Sequence, residues 1–433
     1  MKNMSLKPMT SKPALPTVSP ITRLPQKAGW LQSLARKLVL QRLALLSRGE
    51  LIVTEQQETQ HFGKPDSGPR VHLTVLDARF YGDIAFGGSI GAGEAYMQGY
   101  WQCDDLTGLI RLMAINQSVM DTLEGGFASL FKPLLKGLHW LNRNTEQGSR
   151  KNIAAHYDLG NDMFQLFLDP TMMYSSAIFA RDDMTLEEAS LHKLDRICQK
   201  LQLSPADHVV EIGTGWGGFA IHAASRYGCK VTTTTISQAQ YDLAQQRVAA
   251  AGLTDKINIL LTDYRELEGQ YDKLVSIEMI EAVGHQFYDT YFAQCARLLK
   301  PQGMMLQQAI TIADQRYESA RRSVDFIQRY IFPGSCIPSV TAMLQSITRA
   351  SDMRLFDLED IGPHYARTLA EWRHNFFRNE AAIRALGYPE EFIRMWEFYL
   401  CYCEGGFAER ALGDVHMLLV KPENRRLPFS AAA

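Results

Sequence analysis

The first 49 residues contain no aspartate or glutamate, only Lys2, Lys7, Lys12, Arg23, Lys27, Arg36, Lys37, Arg42 and Arg48 on the charged side. Such an arm suits an anionic membrane surface, and over residues 1–20 it reads equally as a disordered solubilising tail. No apolar run is long enough to span a bilayer, and no signal peptide with an apolar centre is present. Membrane contact is therefore expected to be peripheral, on the cytoplasmic side. The seven cysteines, at 103, 198, 229, 295, 336, 401 and 403, are odd in number and scattered. They give no disulfide framework and point to a reducing compartment. The Cys401/Cys403 pair has no second ligand pair nearby and no HExxH occurs, so no metal is expected. A net charge of −2 gives no sign of a nucleic-acid partner.

A further absence lies in the stretch VVEIGTGWGGFAIHAASRYGCKVTTTTIS, residues 209–237. It reads as strand, glycine turn, helix, strand. A dinucleotide site requires an acid at the tip of the second strand to hold a ribose, yet that strand ends Thr235-Ile236-Ser237. An acid instead precedes Gly213, Thr214, Gly215, Trp216, Gly217 and Gly218, and Asp263 follows the third strand. This arrangement favours S-adenosylmethionine (AdoMet), with Glu211 near its cationic methionine end and Asp263 accepting from the adenine amino group.

A chain of 433 residues is long for one core. The sequence predicts a tail over 1–26, an N-terminal lipid-binding unit over 27–130, a linker over 131–151 and a catalytic unit over 152–433. Residues 30–46 repeat apolar positions at helical spacing, as a helix packed on its own domain or one lying in the lipid interface. The runs ELIVTE, VHLTVLD and FYGDIAFGG predict a small sheet. Beyond residue 186, helices alternate with short apolar strands, which predicts an α/β fold with a mostly parallel sheet. Residues 312–410 form an aromatic-rich insertion that shapes an acceptor pocket or merely pads a lid.

The segments GSIGAGEAYMQGYW, HYDLGNDMFQLFLDP, MYSSAIF, EIGTGWGG, TISQAQ, DYRELEGQYDKLVSIEMIEAVGHQFYDTYF, RYIFPGSCIPS and YLCYCEGGF carry a resemblance from about Leu43 to Lys421. The chain resembles the cyclopropane-fatty-acyl-phospholipid synthases and their kin, the mycolic acid cyclopropane synthases. The resemblance implies a class I methyltransferase fold, Rossmann-like with a seven-stranded sheet, beside a smaller α+β lipid-binding unit. It implies homodimers acting on phospholipid acyl chains. It carries AdoMet contacts onto Tyr174, Ser175, the turn Gly213–Gly218, Thr235, Gln240, Tyr264 and Arg265, beside which Ser237 also falls. It implies a bicarbonate ion held by Ser176, Glu281, Gln308, Tyr365 and the backbone near Ile310. The best-known bacterial member has Cys where Ser176 stands and His where Gln308 stands. Both replacements still offer hydrogen bonds to an anion. Cys403 matches a cysteine that the family treats as an active-site residue, although a nucleophile has no task where no acyl group moves.

The implied chemistry is methyl transfer to an isolated cis double bond. Attack leaves a carbocation that needs a dry pocket and π faces, for which Tyr174, Phe179, Tyr288, Tyr330, Phe332 and Tyr365 are candidates. A base must then remove a proton. On this reading Glu281 and Tyr365 position the bicarbonate that does so, while Glu278 lines the AdoMet pocket. Glu281 reads alternatively as a helix N-terminal acid after the fourth strand.

Overall fold

The structure, a computed structural model, describes residues 30–117 and 159–426. The expected tail, the expected linker and the start of the catalytic unit near Asn152 lie outside the described residues.

Helix α1 (Trp30–Leu43) opens the described chain. Ala35 and Val39 are buried, and Arg36 turns inward to Glu55 at 2.7 Å. Leu34, Leu38 and the following Leu45 remain exposed. Strands β1 (Glu50–Glu55), β2 (Glu58–Gly63) and β3 (Arg70–Val75) precede helix α2 (Arg79–Met97), strand β4 (Trp101–Cys103) and helix α3 (Leu106–Ile115). The four strands form a sheet in the order β2-β1-β3-β4.

One expectation fails here. FYGDIAFGG is not a strand but the first half of α2, and ETQHFG supplies the missing strand as β2. Farther along α2, two glycines serve close packing. A Cβ on Gly91 would lie 1.9 Å from the Asp83 carbonyl oxygen, and one on Gly93 would lie 2.4 Å from the Phe326 ring. Gly88, at φ 56° and ψ −133°, kinks the helix in a conformation that glycine tolerates best.

The second region begins with α4 (Asn161–Phe167) and α5 (Leu186–Leu201). Thr185 and Glu188 start α5 with a reciprocal capping box, which satisfies two otherwise orphaned N–H groups. Then follow β5 (His208–Ile212), α6 (Gly218–Arg226), β6 (Lys230–Thr235), α7 (Gln238–Ala250), β7 (Ile257–Leu261), β8 (Tyr271–Ile277), α8 (Tyr288–Leu298) and β9 (Leu299–Ile312). Helix α9 (Val340–Ala350), strand β10 (Arg354–Asp360), helices α10 (Gly362–Arg378) and α11 (Glu390–Ala408) and strand β11 (Leu412–Val420) follow, with short helices over Asp314–Ala320 and Phe326–Tyr330 before α9 and over Glu380–Ala385 between α10 and α11.

The large sheet runs β10-β11-β9-β8-β5-β6-β7. Strands β5 to β9 pair in parallel, and β11 and β10 add antiparallel. This is the expected mostly parallel seven-stranded sheet beside a small N-terminal one. The insertion is more than a lid: it supplies the edge strand β10 and the helices α10 and α11. Those helices share one buried cluster with the N-terminal elements, from Leu51, Val71 and Trp101 to Trp372, Trp396 and Phe398. Within it the Tyr96 hydroxyl donates to Glu397 at 2.6 Å.

Candidate active site

The chain leaves β5 first toward β6 and β7, then returns to place β8 and β9 on the other side of β5. Such a reversal of strand order opens a crevice at the carboxyl ends of the strands. The sequence-derived residues collect there: the glycine turn after β5, Thr235 ending β6, Asp263 after β7, Glu278 after β8 and Gln308 near the end of β9.

Gly213, Gly215 and Gly217 take φ values of 100°, 51° and 83°, so the turn depends on glycine. A Cβ on Gly215 would meet nothing within 4 Å, and the backbone there faces open space. Gly218 instead packs against Met173 and Thr171. Beneath the turn, the buried Glu211 carboxylate accepts from Thr233 at 2.6 Å, and Thr233 meets Thr214 at 2.8 Å. Burial pushes the Glu211 carboxyl up to about 8. Trp216 is core rather than crevice: it is buried, donates to Asn161 at 2.7 Å and packs on Phe164.

Farther along the crevice, the Thr235 hydroxyl donates to Gln240 at 2.9 Å, and Ser237 caps α7 by accepting from the Gln240 N–H at 3.3 Å. Asp263 accepts from the Arg265 guanidinium at 2.7 and 2.9 Å and is held below its ordinary range, by that bond first. Tyr264 packs edge-on against Tyr291. Ile236 and Leu261 escaped the sequence reading. They are 78 % and 44 % exposed at the ends of β6 and β7, where they offer apolar surface to a flat ring. Their only signal was an apolar residue at a strand tip.

The densest polar constellation centres on Glu278. Its Oε1 accepts from the Ser176 N–H at 2.8 Å and from the Gln308 amide at 2.8 Å, while its Oε2 accepts from the Tyr365 hydroxyl at 2.6 Å. The same Gln308 amide donates to Asp414 at 3.0 Å, and Gln308 Oε1 meets His416 Nε2 at 3.2 Å. Asp414 and His416 are fully buried. Burial, then the charge of Glu278, pushes Asp414 well above the carboxylate range, and burial raises the Glu278 carboxyl as well. Glu281 Oε1 accepts from the Ile310 N–H at 2.6 Å, and its Oε2 is buried without a partner. Burial first, then the charge of Glu278, raises its carboxyl to about 8.

Three expectations shift. Tyr365 bonds Glu278 rather than completing a pair with Glu281. Three of the groups that the resemblance assigns to bicarbonate already surround a side-chain carboxylate, and a fourth, the Ile310 N–H, is taken by Glu281. The residues present do not fit a separate bicarbonate ion. Glu281 lies in a short turn over Ile280–Ala282, not at the start of α8.

Lys193 was also missed. It is fully buried, donates to Ser175 at 2.8 Å and is lowered to about 8 by burial. The signal was present: Lys193 sits among Ser190, Leu194 and Ile197 on the buried face of α5.

Of the six aromatic candidates, three gather. Tyr174 lies 5.2 Å from Trp372 and 6.1 Å from Phe332, and Tyr365 lies 6.0 Å from Trp372. The Tyr174 hydroxyl meets that of Tyr399 at 2.8 Å. Phe179 instead lies under Arg367, Tyr288 donates to the Cys336 carbonyl, and Tyr330 donates to Glu94. Trp372, unremarked in the sequence, is the hub. The Cys403 thiol is pushed up by burial, then by Asp325, which keeps it protonated and a poor nucleophile. All seven cysteines are free, and the described residues hold no metal-binding cluster.

Residues 144–417 match the family described as Mycolic acid cyclopropane synthetase. A tuberculostearic acid methyltransferase of Mycobacterium tuberculosis is 39 % identical over 345 residues, spanning 77 % of this chain and 79 % of that protein. A cyclopropane-fatty-acyl-phospholipid synthase of Escherichia coli is 39 % identical over 341 residues, spanning 78 % of this chain and 85 % of that protein. The solved mycolic acid cyclopropane synthase CmaA1, complexed with SAH and CTAB, superposes with a TM-score of 0.57 at 33 % identity, covering 62 % of this chain and 96 % of that one. The chain belongs to the mycolic acid cyclopropane synthetase family.

Proposed function

We propose that this protein transfers the methyl carbon of AdoMet to the cis double bond of unsaturated acyl chains in membrane phospholipids. The observation that carries the reading is the juxtaposition of an open glycine turn at the strand-order reversal with an aromatic group that holds a buried carboxylate. When bound, AdoMet supplies a methyl group on an electrophilic sulfonium. The turn Gly213–Gly218 would approach its methionine end, with Glu211 beneath. Ile236 and Leu261 would sandwich its adenine, and Asp263 would accept from the adenine amino group.

On the acceptor side, Tyr174, Trp372 and Tyr365 would present π faces to the developing carbocation, worth roughly 0.5–2 kcal/mol each where water is excluded. Loss of a proton from the transferred methyl closes a cyclopropane ring. A second outcome is a methylene- or methyl-branched chain, favoured by the equal similarity to a tuberculostearic acid methyltransferase. Proton NMR of the extracted lipid separates them, since ring protons resonate upfield and a methylene gives vinyl signals.

Among the described residues, no helix is long and apolar enough to cross a membrane. The exposed Leu34, Leu38 and Leu45, beside the acid-free basic arm, support peripheral docking on an anionic, cytoplasmic-facing surface. The function is tested by mass spectrometry of lipids from cells expressing the protein. A gain of one CH2 on unsaturated chains supports it, and unchanged lipids beside an AdoMet-loaded protein refute it.

A further inference from the structure

We infer that the proton acceptor of this site is the side chain of Glu278, and that the protein needs no bicarbonate. The inference rests on the proposed methyl transfer. Glu278 follows β8 at φ +48°, a left-handed conformation that costs a glutamate and suits a glycine. Strain of this kind persists where the side chain is required at one place. That place is a fixed anion seat: the Ser176 N–H, the Gln308 amide and the Tyr365 hydroxyl converge on one carboxylate at 2.6 to 2.8 Å. Gln308 is itself fixed by Asp414 and His416 on β11, and the Tyr365 ring stacks on Phe407 at 4.4 Å and meets Trp372 edge-on at 6.0 Å.

The two oxygens differ. Oε1 accepts two of the three hydrogen bonds and Oε2 accepts one, so Oε2 has the greater capacity to take a proton. Tyr365, which donates to Oε2, belongs to the aromatic group that also holds Tyr174 and Trp372. The carboxylate is thus one hydrogen bond away from the aromatic group proposed to line the cation.

The step balances without an oxidant or reductant. The methyl C–S bond breaks, leaving its electron pair on sulfur, as the π pair of the olefin forms the new C–C bond. The cation left on the other olefinic carbon is then quenched by the electron pair of a C–H bond of the transferred methyl. The ring closes and the proton moves to Glu278 Oε2. A carboxylate able to attack the cation would trap it as an ester; three hydrogen bonds and a fixed backbone hold Glu278 back from that bond.

The test uses the full-length protein with AdoMet and vesicles of a cis-unsaturated phospholipid. The release of S-adenosylhomocysteine and the lipid product are measured in buffer stripped of carbon dioxide, and again with added sodium bicarbonate. The wild-type rate should be the same in both. Glu278→Gln should lower turnover 100-fold or more, the loss typical of a missing general base, with AdoMet binding by calorimetry unchanged. Glu278→Gly relieves the left-handed strain and opens the anion seat, so added bicarbonate or formate should restore part of its activity. A wild-type protein that transfers methyl groups only with bicarbonate present would overturn the inference and leave the proposed function standing. So would a fully active Glu278→Gln, and so would loss of AdoMet affinity in that variant, which would return Glu278 to the cofactor pocket. A wild-type protein that transfers no methyl group would overturn the function and this inference together.

Discussion

At the residue scale, Glu281 couples the site to pH. Its carboxyl has an ordinary value of 4.5 and rises to about 8 in the fold, through burial first and the charge of Glu278 second. Below pH 4.5 the group is protonated in both states and its contribution is fully present. As pH rises from there to about 8, the unfolded chain releases the proton and the folded chain keeps it, so stability falls across that window. Glu281→Gln cannot titrate. Urea denaturation at pH 5 and pH 8 should show the wild type losing stability relative to the variant by on the order of a few kcal/mol. Glu211, also raised to about 8, leaves a residual slope in both proteins. Parallel losses in the two proteins would contradict the assignment. The sequence identified Glu281, Gln308, Ser176 and Tyr365 as neighbours of one site, but not which carboxylate they serve. That choice depends on the backbone angle at Glu278, which no residue pattern reports.

At the element scale, α2 and the glycine turn use glycine for different reasons. In α2 the reason is space. Gly93→Val would drive its Cβ into Phe326, 2.4 Å away, and should cost about 1–3 kcal/mol by urea denaturation. Gly82→Ala, with nothing within 4 Å, should gain roughly 0.5–1 kcal/mol in the same measurement. Equal effects would contradict the packing role. In the turn after β5 the reason is φ and approach. Gly215→Val, at φ +51°, should abolish AdoMet binding by calorimetry, and retained affinity would remove the turn from the cofactor site.

The alternation of strand and helix from β5 to β9 was legible because each parallel strand is a short apolar run punctuated by turn residues. The identity of α2 was hidden, since Gly93 answers to Phe326, far along the chain, and Gly91 to the Asp83 carbonyl across the kink at Gly88. Lys193 was legible as a lysine on the apolar face of α5, but its role was not, since its partner Ser175 lies outside the helix.

At the scale of the whole molecule, the N-terminal sheet and the helices α10 and α11 close one shared core rather than two separate ones. The N-terminal elements and the helices α10 and α11 should therefore unfold together, and circular dichroism and tryptophan fluorescence should report coincident midpoints. Tyr96→Phe removes the buried donor to Glu397, which links the two regions at 2.6 Å. It should lower stability by about 1–3 kcal/mol while keeping that single transition. Separate midpoints would show that the regions fold independently.

The most direct measurement of the central claim is mass spectrometry of a cis-unsaturated phospholipid incubated with the protein and AdoMet labelled in its methyl carbon. The expected result is lipid heavier by one labelled CH2, formed one for one with S-adenosylhomocysteine. Label-free lipid, or S-adenosylhomocysteine released without any labelled lipid, would contradict it.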